Sequence, residues 1–224
     1  MRAFVIVLNG VGAGAAPDAA KYGDDGANTL GRLYEHCAHL ELPTLISMGL
    51  GEIVGATPDF VPSASRGRMR PRSKGKDTTT AHWELAGVVS QEAFTSYERF
   101  PDSLVREIET AAKVKFIGND RRDIGTLPGA LCNEHLKTGH PILEALPDST
   151  MFIYAHEKVI PRARLYEIAR IARKHCGTHR IHRVVAQPFT GETGTFSVSP
   201  YTREYPTVPP RTVLNAISET GLRV

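Results

Sequence analysis

The residues best suited to chemistry lie together in the segment 75–84, which reads GKDTTTAHWE. A threonine that begins a helix can present its hydroxyl to a phosphate group, because the unpaired backbone N–H groups and the helix dipole favour an anion there. Activated by a metal ion, such a hydroxyl can also attack phosphorus and carry a phosphoryl group. The alternative is an ordinary threonine cap on a helix through His82, Trp83 and Glu84, which the chemistry alone favours.

Basic side chains at alternate positions lead into this segment. They are Arg66, Arg68, Arg70, Arg72, Lys74 and Lys76. In an extended chain, alternate residues face the same side, so these cations would form one face that suits phosphate. A solvated edge strand, on which charge prevents pairing with other sheets, is the second interpretation.

The chain before these residues should position them on a parallel sheet. Residues 3–8 (AFVIVL) are a continuous apolar run rich in β-branched side chains, which is typical of a strand buried on both faces. A glycine-rich stretch follows, so Asn9 is expected at the carboxyl end of this strand, where open parallel sheets bind ligands. A tight turn without a ligand is the alternative.

Other elements are predicted from capping residues, apolar spacing and proline positions. Helices are expected at residues 28–36, 42–50, 102–112, 162–175 and 212–219, and strands at residues 151–154 and 183–189. Residues 175–182 (HCGTHRIH) contain side chains that suit zinc, but their spacing matches no standard zinc finger. Solvated histidines are therefore the preferred interpretation of this stretch.

The composition is that of an ordinary globular protein. The chain has 224 residues, 41% of them hydrophobic and 23% charged, and this length suits one large domain or two small ones. A net charge of only +3 does not call for nucleic acid or a membrane surface as partner. Three cysteines without a CxxC pair argue against a disulfide framework and fit the reducing cytoplasm.

The segment GKDTxxxHWE, with Met69 and Ser73 upstream, resembles the nucleophile segment of the phosphopentomutases in the alkaline phosphatase superfamily. Further motifs follow in the order of that family, and together they span nearly the whole chain. They are residues 23–31 (GDDGANTLG) and 42–50 (LPTLISMGL), then Gly118-Asn119, Gly125-Thr126, Glu134-His135, Thr138-Gly139, Pro141-Ile142, Asp148-Ser149, Ala155-His156-Glu157, Leu165-Tyr166 and Pro188-Phe189.

The resemblance implies an α/β fold with two parts. A partial parallel-sheet core of the alkaline phosphatase type would comprise residues 1–90 and 206–224, and an inserted α+β cap would comprise residues 91–205. The implied reaction interconverts ribose or deoxyribose 1-phosphate and 5-phosphate through a phosphothreonine and a bisphosphate intermediate.

The resemblance also implies roles for single residues. Thr78 would be the catalytic residue that becomes phosphorylated and would also contact the metal, which would be Mn²⁺ or Mg²⁺. Lys76, Asp148 and His156 would bind the pentose phosphate. Asn9 would take the place of a metal-ligating aspartate, without the negative charge that hard cations favour.

Other departures from the family raise an alternative to catalysis. Leu146 replaces a serine, Gln187 replaces an arginine that could bind phosphate with two hydrogen bonds, and the family's later D-H-G metal motif does not occur. We therefore expect the isolated chain to self-associate, to bind a partner that completes the sheet, or to be poorly stable. A second polypeptide would also complete the metal site. The alternative is a catalytically inactive phosphopentomutase-like protein, either a pseudoenzyme or a module that binds sugar phosphates or partners.

Overall fold

The computed structural model describes residues 3–37, 39–55, 59–122, 127 and 129–224. Gly125-Thr126, one of the motifs quoted above, lies outside these residues. The chain divides into two compact units between Pro71 and Arg72. The core and cap boundaries at residues 90–91 and 205–206 stay a prediction.

The first unit consists of short helices and irregular segments in its described part. A 3₁₀ turn, Ala19–Tyr22, precedes the helices α1 (Thr29–His36), α2 (Pro43–Ser47) and α3 (Leu50–Ile53). Asn28 caps α1, because its side-chain oxygen accepts a hydrogen bond from the Gly31 N–H at 3.1 Å. The helix predicted at residues 42–50 is interrupted at Gly49, whose φ of +107° is left-handed.

The strand predicted at residues 3–8 is wrong for this structure. Phe4, Val5 and Ile6 are 83–85% exposed, and none of the described strands pairs with this segment. Apolar side chains suit a buried strand, but a strand forms only where a neighbour accepts its backbone hydrogen bonds. The described residues of the first unit provide no such neighbour.

The basic run is not a strand either. Residues 59–77 contain neither strand nor helix. Arg66 forms an ion pair with Glu52, and Arg68 donates a hydrogen bond to the Ile53 carbonyl. These two guanidinium groups are therefore engaged inside the first unit and do not belong to a single phosphate-facing row.

The second unit contains a mixed sheet and the remaining helices. Its elements are α4 (Thr78–Leu85), α5 (Asp102–Ala112), β1 (Ile117–Arg121), α6 (Gly129–Thr138), β2 (Ile142–Ala145), β3 (Thr150–His156), α7 (Arg162–His175), β4 (Arg183–Thr190), β5 (Ser197–Val198), β6 (Arg203–Pro206) and α8 (Val213–Glu219). The predicted bounds of α5 and α7 are confirmed, since both helices follow a proline and carry apolar residues at helical spacing.

The strand order is β1-β2-β3-β4, and the short strands β5 and β6 both pair with β4. The pairs β1–β2 and β3–β4 are parallel, with α6 and α7 as their connections. The remaining pairs are antiparallel, including the hairpin between β2 and β3. This mixed sheet confirms the α/β class, and it lies wholly within residues 117–206.

Helices cover both faces of the central strands. Leu143, Ile153 and Val184 belong to the main apolar cluster with α5 and α7. Ile142 and Tyr154, which point to the opposite face, pack in a second cluster with Cys132 of α6. Successive strand residues alternate between the faces, so the central strands are buried on both sides.

Helix α8 returns the chain to the end of α4. The Val213 N–H donates a hydrogen bond of 2.9 Å to the Ala86 carbonyl. Thr212 and Asn215 form a capping box at the start of α8. No helix in the described part of the chain has both the length and the apolar character needed to cross a membrane.

Candidate functional site

A buried aspartate defines the first turn of α4. Asp77 accepts hydrogen bonds from both the N–H and the hydroxyl of Thr80, each at 2.8 Å. The preceding Gly75 has φ +102°, and a Cβ atom there would approach Asp77 Oδ2 to 3.2 Å. The geometry of this turn therefore favours glycine at 75 and a side-chain acceptor such as aspartate at 77.

Thr78 is the first residue of α4 and is exposed. Its carbonyl oxygen lies 2.7 Å from His82 Nδ1, one turn along the helix. Since a carbonyl can only accept, this ring nitrogen carries the hydrogen. Lys76, just before the capping aspartate, is exposed as well. The structure thus presents both residues to solvent at the amino end of a helix, where the dipole favours an anion.

Glu84 fastens the preceding segment to α4. Its two carboxylate oxygens accept hydrogen bonds from the Arg72 N–H at 2.7 Å and the Ser73 N–H at 2.8 Å. Hydrogen bonds from the Ser73 side chain and from these backbone groups lower the pKa of Glu84. Ser73 Oγ in turn accepts from the Ser90 N–H at 2.9 Å. Glu84 of the GKDTTTAHWE segment therefore has a structural role, because it holds the backbone of Arg72 and Ser73 against α4.

Asp148 lies in the turn between β2 and β3 and is held by several groups. Arg183 Nη2 is 3.1 Å from its Oδ2, and the Thr150 N–H donates to its Oδ1 at 3.2 Å. Burial by itself would raise the pKa of Asp148, but the nearby His182 ring, a hydrogen bond from Thr150 and the charge of Arg183 outweigh it and hold that pKa well below its usual value. Asp148 is therefore a fixed, ionised carboxylate with a quarter of its side chain exposed.

His156 is 3% exposed, and both of its ring nitrogens face backbone groups. Nδ1 accepts from the Lys158 N–H at 3.1 Å, so Nε2 donates to the Gly191 carbonyl at 3.0 Å. The His156 N–H in turn donates to Nε2 of the buried His135 at 2.9 Å. His156 therefore contacts the loop at Gly191, and both of its ring nitrogens already have backbone partners.

The positions that depart from the family have structural partners of their own. The Gln187 amide nitrogen donates to the Pro188 and Ser199 carbonyls at 2.9 and 3.0 Å, and its oxygen accepts from the Thr202 hydroxyl at 2.7 Å. Leu146 is buried in the apolar interior. Asn9 is an exposed turn residue of the first unit, whereas Thr78 belongs to the second.

The described residues contain no group of three or more histidine, cysteine, aspartate or glutamate side chains placed to hold a metal ion. In the HCGTHRIH stretch, Cys176 packs in the core with its sulfur 4.0 Å from the Met151 sulfur. His182 is completely buried between threonine hydroxyls. The expectation of solvated histidines is therefore wrong for His182, because its ring forms hydrogen bonds inside the fold.

Comparison with known proteins finds phosphopentomutases that are similar to the chain. The chain is 42% identical over its whole length to a phosphopentomutase of Acetivibrio thermocellus and covers 59% of that protein. It is 43% identical to a phosphopentomutase of Syntrophotalea carbinolica, of which it covers 58%, and 42% identical to one of Desulfitobacterium hafniense, of which it covers 59%. No model of a protein family matches the chain.

The chain is similar over its whole length to these phosphopentomutases. It corresponds to an amino-terminal segment and spans about 59% of the length of these relatives. The roles of Thr78, Lys76, Asp148, His156 and Asn9 stay predictions. The structure brings the α4 turn of Thr78 and the turn of Asp148 into one unit, and the residues that link them are Thr79 and His182.

The local sequence contains no signal for the link between Thr79 and His182. Thr79 and His182 are 103 positions apart; Thr79 is a variable position of the GKDTxxxHWE segment, and His182 belongs to none of the motifs on which the resemblance rests. Arg183 was equally missed, because a strand-end arginine ordinarily predicts an exposed charge. Its partner Asp148 becomes adjacent only when β3 and β4 pair.

Proposed function

We propose that the chain carries the phosphoryl-accepting threonine and the sugar-phosphate-binding region of a phosphopentomutase. The reaction would interconvert ribose or deoxyribose 1-phosphate and 5-phosphate. The observation that carries this proposal is the exposed Thr78 at the start of α4, within a chain that is 42% identical to a phosphopentomutase along its whole length.

The proposed chemistry is a transfer of one phosphoryl group in two steps. The free hydroxyl of a pentose monophosphate attacks the phosphorus of phosphorylated Thr78, and a pentose bisphosphate forms. The bond between phosphorus and the Thr78 oxygen breaks, and that oxygen takes up the proton of the sugar hydroxyl. The Thr78 oxygen then attacks the other phosphate, whose bond to the sugar oxygen breaks. The sugar oxygen takes up the proton, and the isomeric monophosphate leaves a phosphothreonine ready for the next cycle.

The surroundings of Thr78 support this role. The Asp77 carboxylate is committed to Thr80 and so caps the helix without occupying the Thr78 hydroxyl. Lys76 adds a positive charge one residue before the cap, and the helix dipole adds to it. We propose that Lys76 and Asp148 contact the pentose phosphate directly. We propose that His156 acts on the substrate through the loop of Gly191.

The cofactor implied by the family does not fit the residues of this chain by themselves. Asn9 and Thr78 offer only uncharged oxygens, whereas Mn²⁺ and Mg²⁺ favour carboxylates. We propose that the charged ligands come from the part of the family's length that this chain does not match, in a longer chain or in a second polypeptide.

A second candidate function is sugar-phosphate binding without turnover. The observation that favours it is Gln187, which replaces a phosphate-binding arginine of the family and uses both ends of its amide to hold residues 188–202. A residue with these contacts cannot also serve a phosphate group. This candidate predicts that ribose 5-phosphate binds to the chain but is not isomerised.

One experiment separates the two candidates. The chain is mixed with the remaining segment of the Acetivibrio thermocellus relative, and conversion of ribose 1-phosphate is followed with Mn²⁺ present. We expect turnover, a gain of one phosphoryl group on the peptide that contains Thr78, and loss of both in Thr78→Ala. Thr78→Ser is the matched control and should retain part of the activity, since it keeps the hydroxyl. Full activity in Thr78→Ala would refute the proposal, and binding without any turnover would favour the second candidate.

A further inference from the structure

His182 is a completely buried imidazole that joins two distant elements. Its Nδ1 lies 2.8 Å from the hydroxyl of Thr79 on α4, and its Nε2 lies 2.9 Å from the hydroxyl of Thr150 at the start of β3. A neutral imidazole donates from one nitrogen and accepts at the other, and a hydroxyl can do either. Both ring nitrogens are therefore satisfied without water, in either tautomer.

The hydrogen-bonded chain continues from Thr150 to Asp148. Arg183 Nε donates to the Thr150 hydroxyl at 2.9 Å, and its Nη2 lies 3.1 Å from Asp148 Oδ2. The same carboxylate oxygen is 3.7 Å from His182 Nε2. An unbroken series of polar contacts thus runs from Thr79, the neighbour of Thr78, to Asp148.

Aromatic contacts reinforce the same connection. The His182 ring packs against Phe94 with a centroid distance of 5.6 Å, and Phe94 meets the edge of Trp83 at 5.8 Å. Trp83 lies on α4, like Thr79. Helix α4 is consequently attached to His182 at two points, one polar and one apolar. Two attachments resist rotation of a helix about its axis better than a single one.

We infer that His182 is a positioning residue, which fixes the helix that carries Thr78 relative to the turn that carries Asp148. It acts through the hydroxyls of Thr79 and Thr150 and touches neither substrate nor metal. The importance of this placement rests on the proposed function, because that function assigns phosphoryl transfer to Thr78 and substrate binding to Asp148. The mechanical link itself does not depend on turnover.

Amide hydrogen exchange of the whole chain tests the link. Thr79→Val removes the hydroxyl and keeps the side-chain volume, so the amides of α4 should exchange about 5- to 30-fold faster. The amides of α7, which pack in the main core, should keep their rates. Thr79→Ser restores a hydroxyl and should restore the protection of α4. The emission of Trp83, the one tryptophan of the sequence, should shift in the valine variant and not in the serine variant.

Removing the other partner provides the second arm. His182→Asn should accelerate exchange on α4 as Thr79→Val does, and the double variant should be no faster than His182→Asn alone, because both changes remove one link. If His182→Asn fails to fold, the comparison of valine with serine at position 79 still decides.

Two outcomes would overturn the inference. One is unchanged exchange on α4 in Thr79→Val, and the other is an equal acceleration on α4 and α7, which would mean a general loss of stability. Absence of turnover in the mixing experiment would count against the proposed function alone, since exchange and fluorescence are measured without substrate.

Discussion

Replacement of Asp77 should destabilise the turn that presents Thr78. Asp77→Ala removes the cap of α4, a loss of about 0.5–2 kcal/mol. It also leaves the hydroxyl of the buried Thr80 without an acceptor, a further loss of about 1–3 kcal/mol. Because both bonds belong to one carboxylate, we expect a combined loss of about 2–4 kcal/mol. Asp77→Asn keeps one acceptor oxygen and should lose about 1 kcal/mol.

The loss of stability can be measured by urea unfolding with the fluorescence of Trp83 as the signal. Trp83 is the single tryptophan and lies on α4, so it reports on the helix that Asp77 caps. For a slope of about 2 kcal/mol per molar urea, a loss of 2 kcal/mol lowers the midpoint by roughly 1 M. Thr78→Ala is the matched control, since Thr78 is exposed, and it should stay within about 0.5 kcal/mol of the unaltered chain.

Either of two results would contradict this role of Asp77. An unchanged midpoint in Asp77→Ala would mean that the cap does not stabilise α4. An equal loss in Asp77→Asn and Asp77→Ala would mean that the acceptor oxygens are not the cause.

Three further predictions concern other parts of the chain. Burial lowers the pKa of His135, so the unfolded state binds a proton more readily than the folded state does. The free energy of unfolding should therefore fall as the pH drops below about 6.5. His135→Asn should make the free energy of unfolding less dependent on pH, as measured by urea titrations at several pH values. Ile168→Ala, in the main core, should cost about 2–5 kcal/mol in the same assay, while the neighbouring exposed change Glu167→Ala should cost less than about 0.5 kcal/mol. The exposed apolar run at residues 3–8 should cause self-association. Ile6→Lys should therefore lower the particle size in light scattering, whereas Val61→Lys, the control, should not. An unaltered chain that is already monomeric would contradict this prediction.

Local patterns in the sequence were sufficient for the elements that depend on local contacts. The bounds of α5 and α7 follow from a preceding proline and from apolar residues such as Ile108 and Ile168 at helical spacing. The helix predicted at residues 42–50 is too long, because the apolar pattern continues past Gly49, where the backbone turns left-handed. The cap of α4 by Asp77 was also not anticipated, since the pattern suggested a threonine cap.

Elements that depend on distant partners could not be predicted in this way. The run at residues 3–8 has the composition of a core strand, but pairing is a property of two segments, and the described part of the chain offers no second one. His182 was interpreted as a solvated histidine because nothing near it in sequence indicates Thr79 or Thr150. Motif residues such as Glu84 were identified by resemblance, while the backbone groups that Glu84 binds became apparent only in the fold.

The contact between Ala86 and Val213 has a consequence for how such a chain can change over time. The entrance and the exit of residues 87–212 meet at one hydrogen bond of 2.9 Å, so this stretch returns to the place from which it departs. A stretch whose ends meet can gain or lose residues in its exposed loops without displacing the helices on either side. Residues 87–212 can therefore vary in length at such loops while His182 keeps its hydrogen bond to Thr79 and the turn at Thr78 keeps its shape.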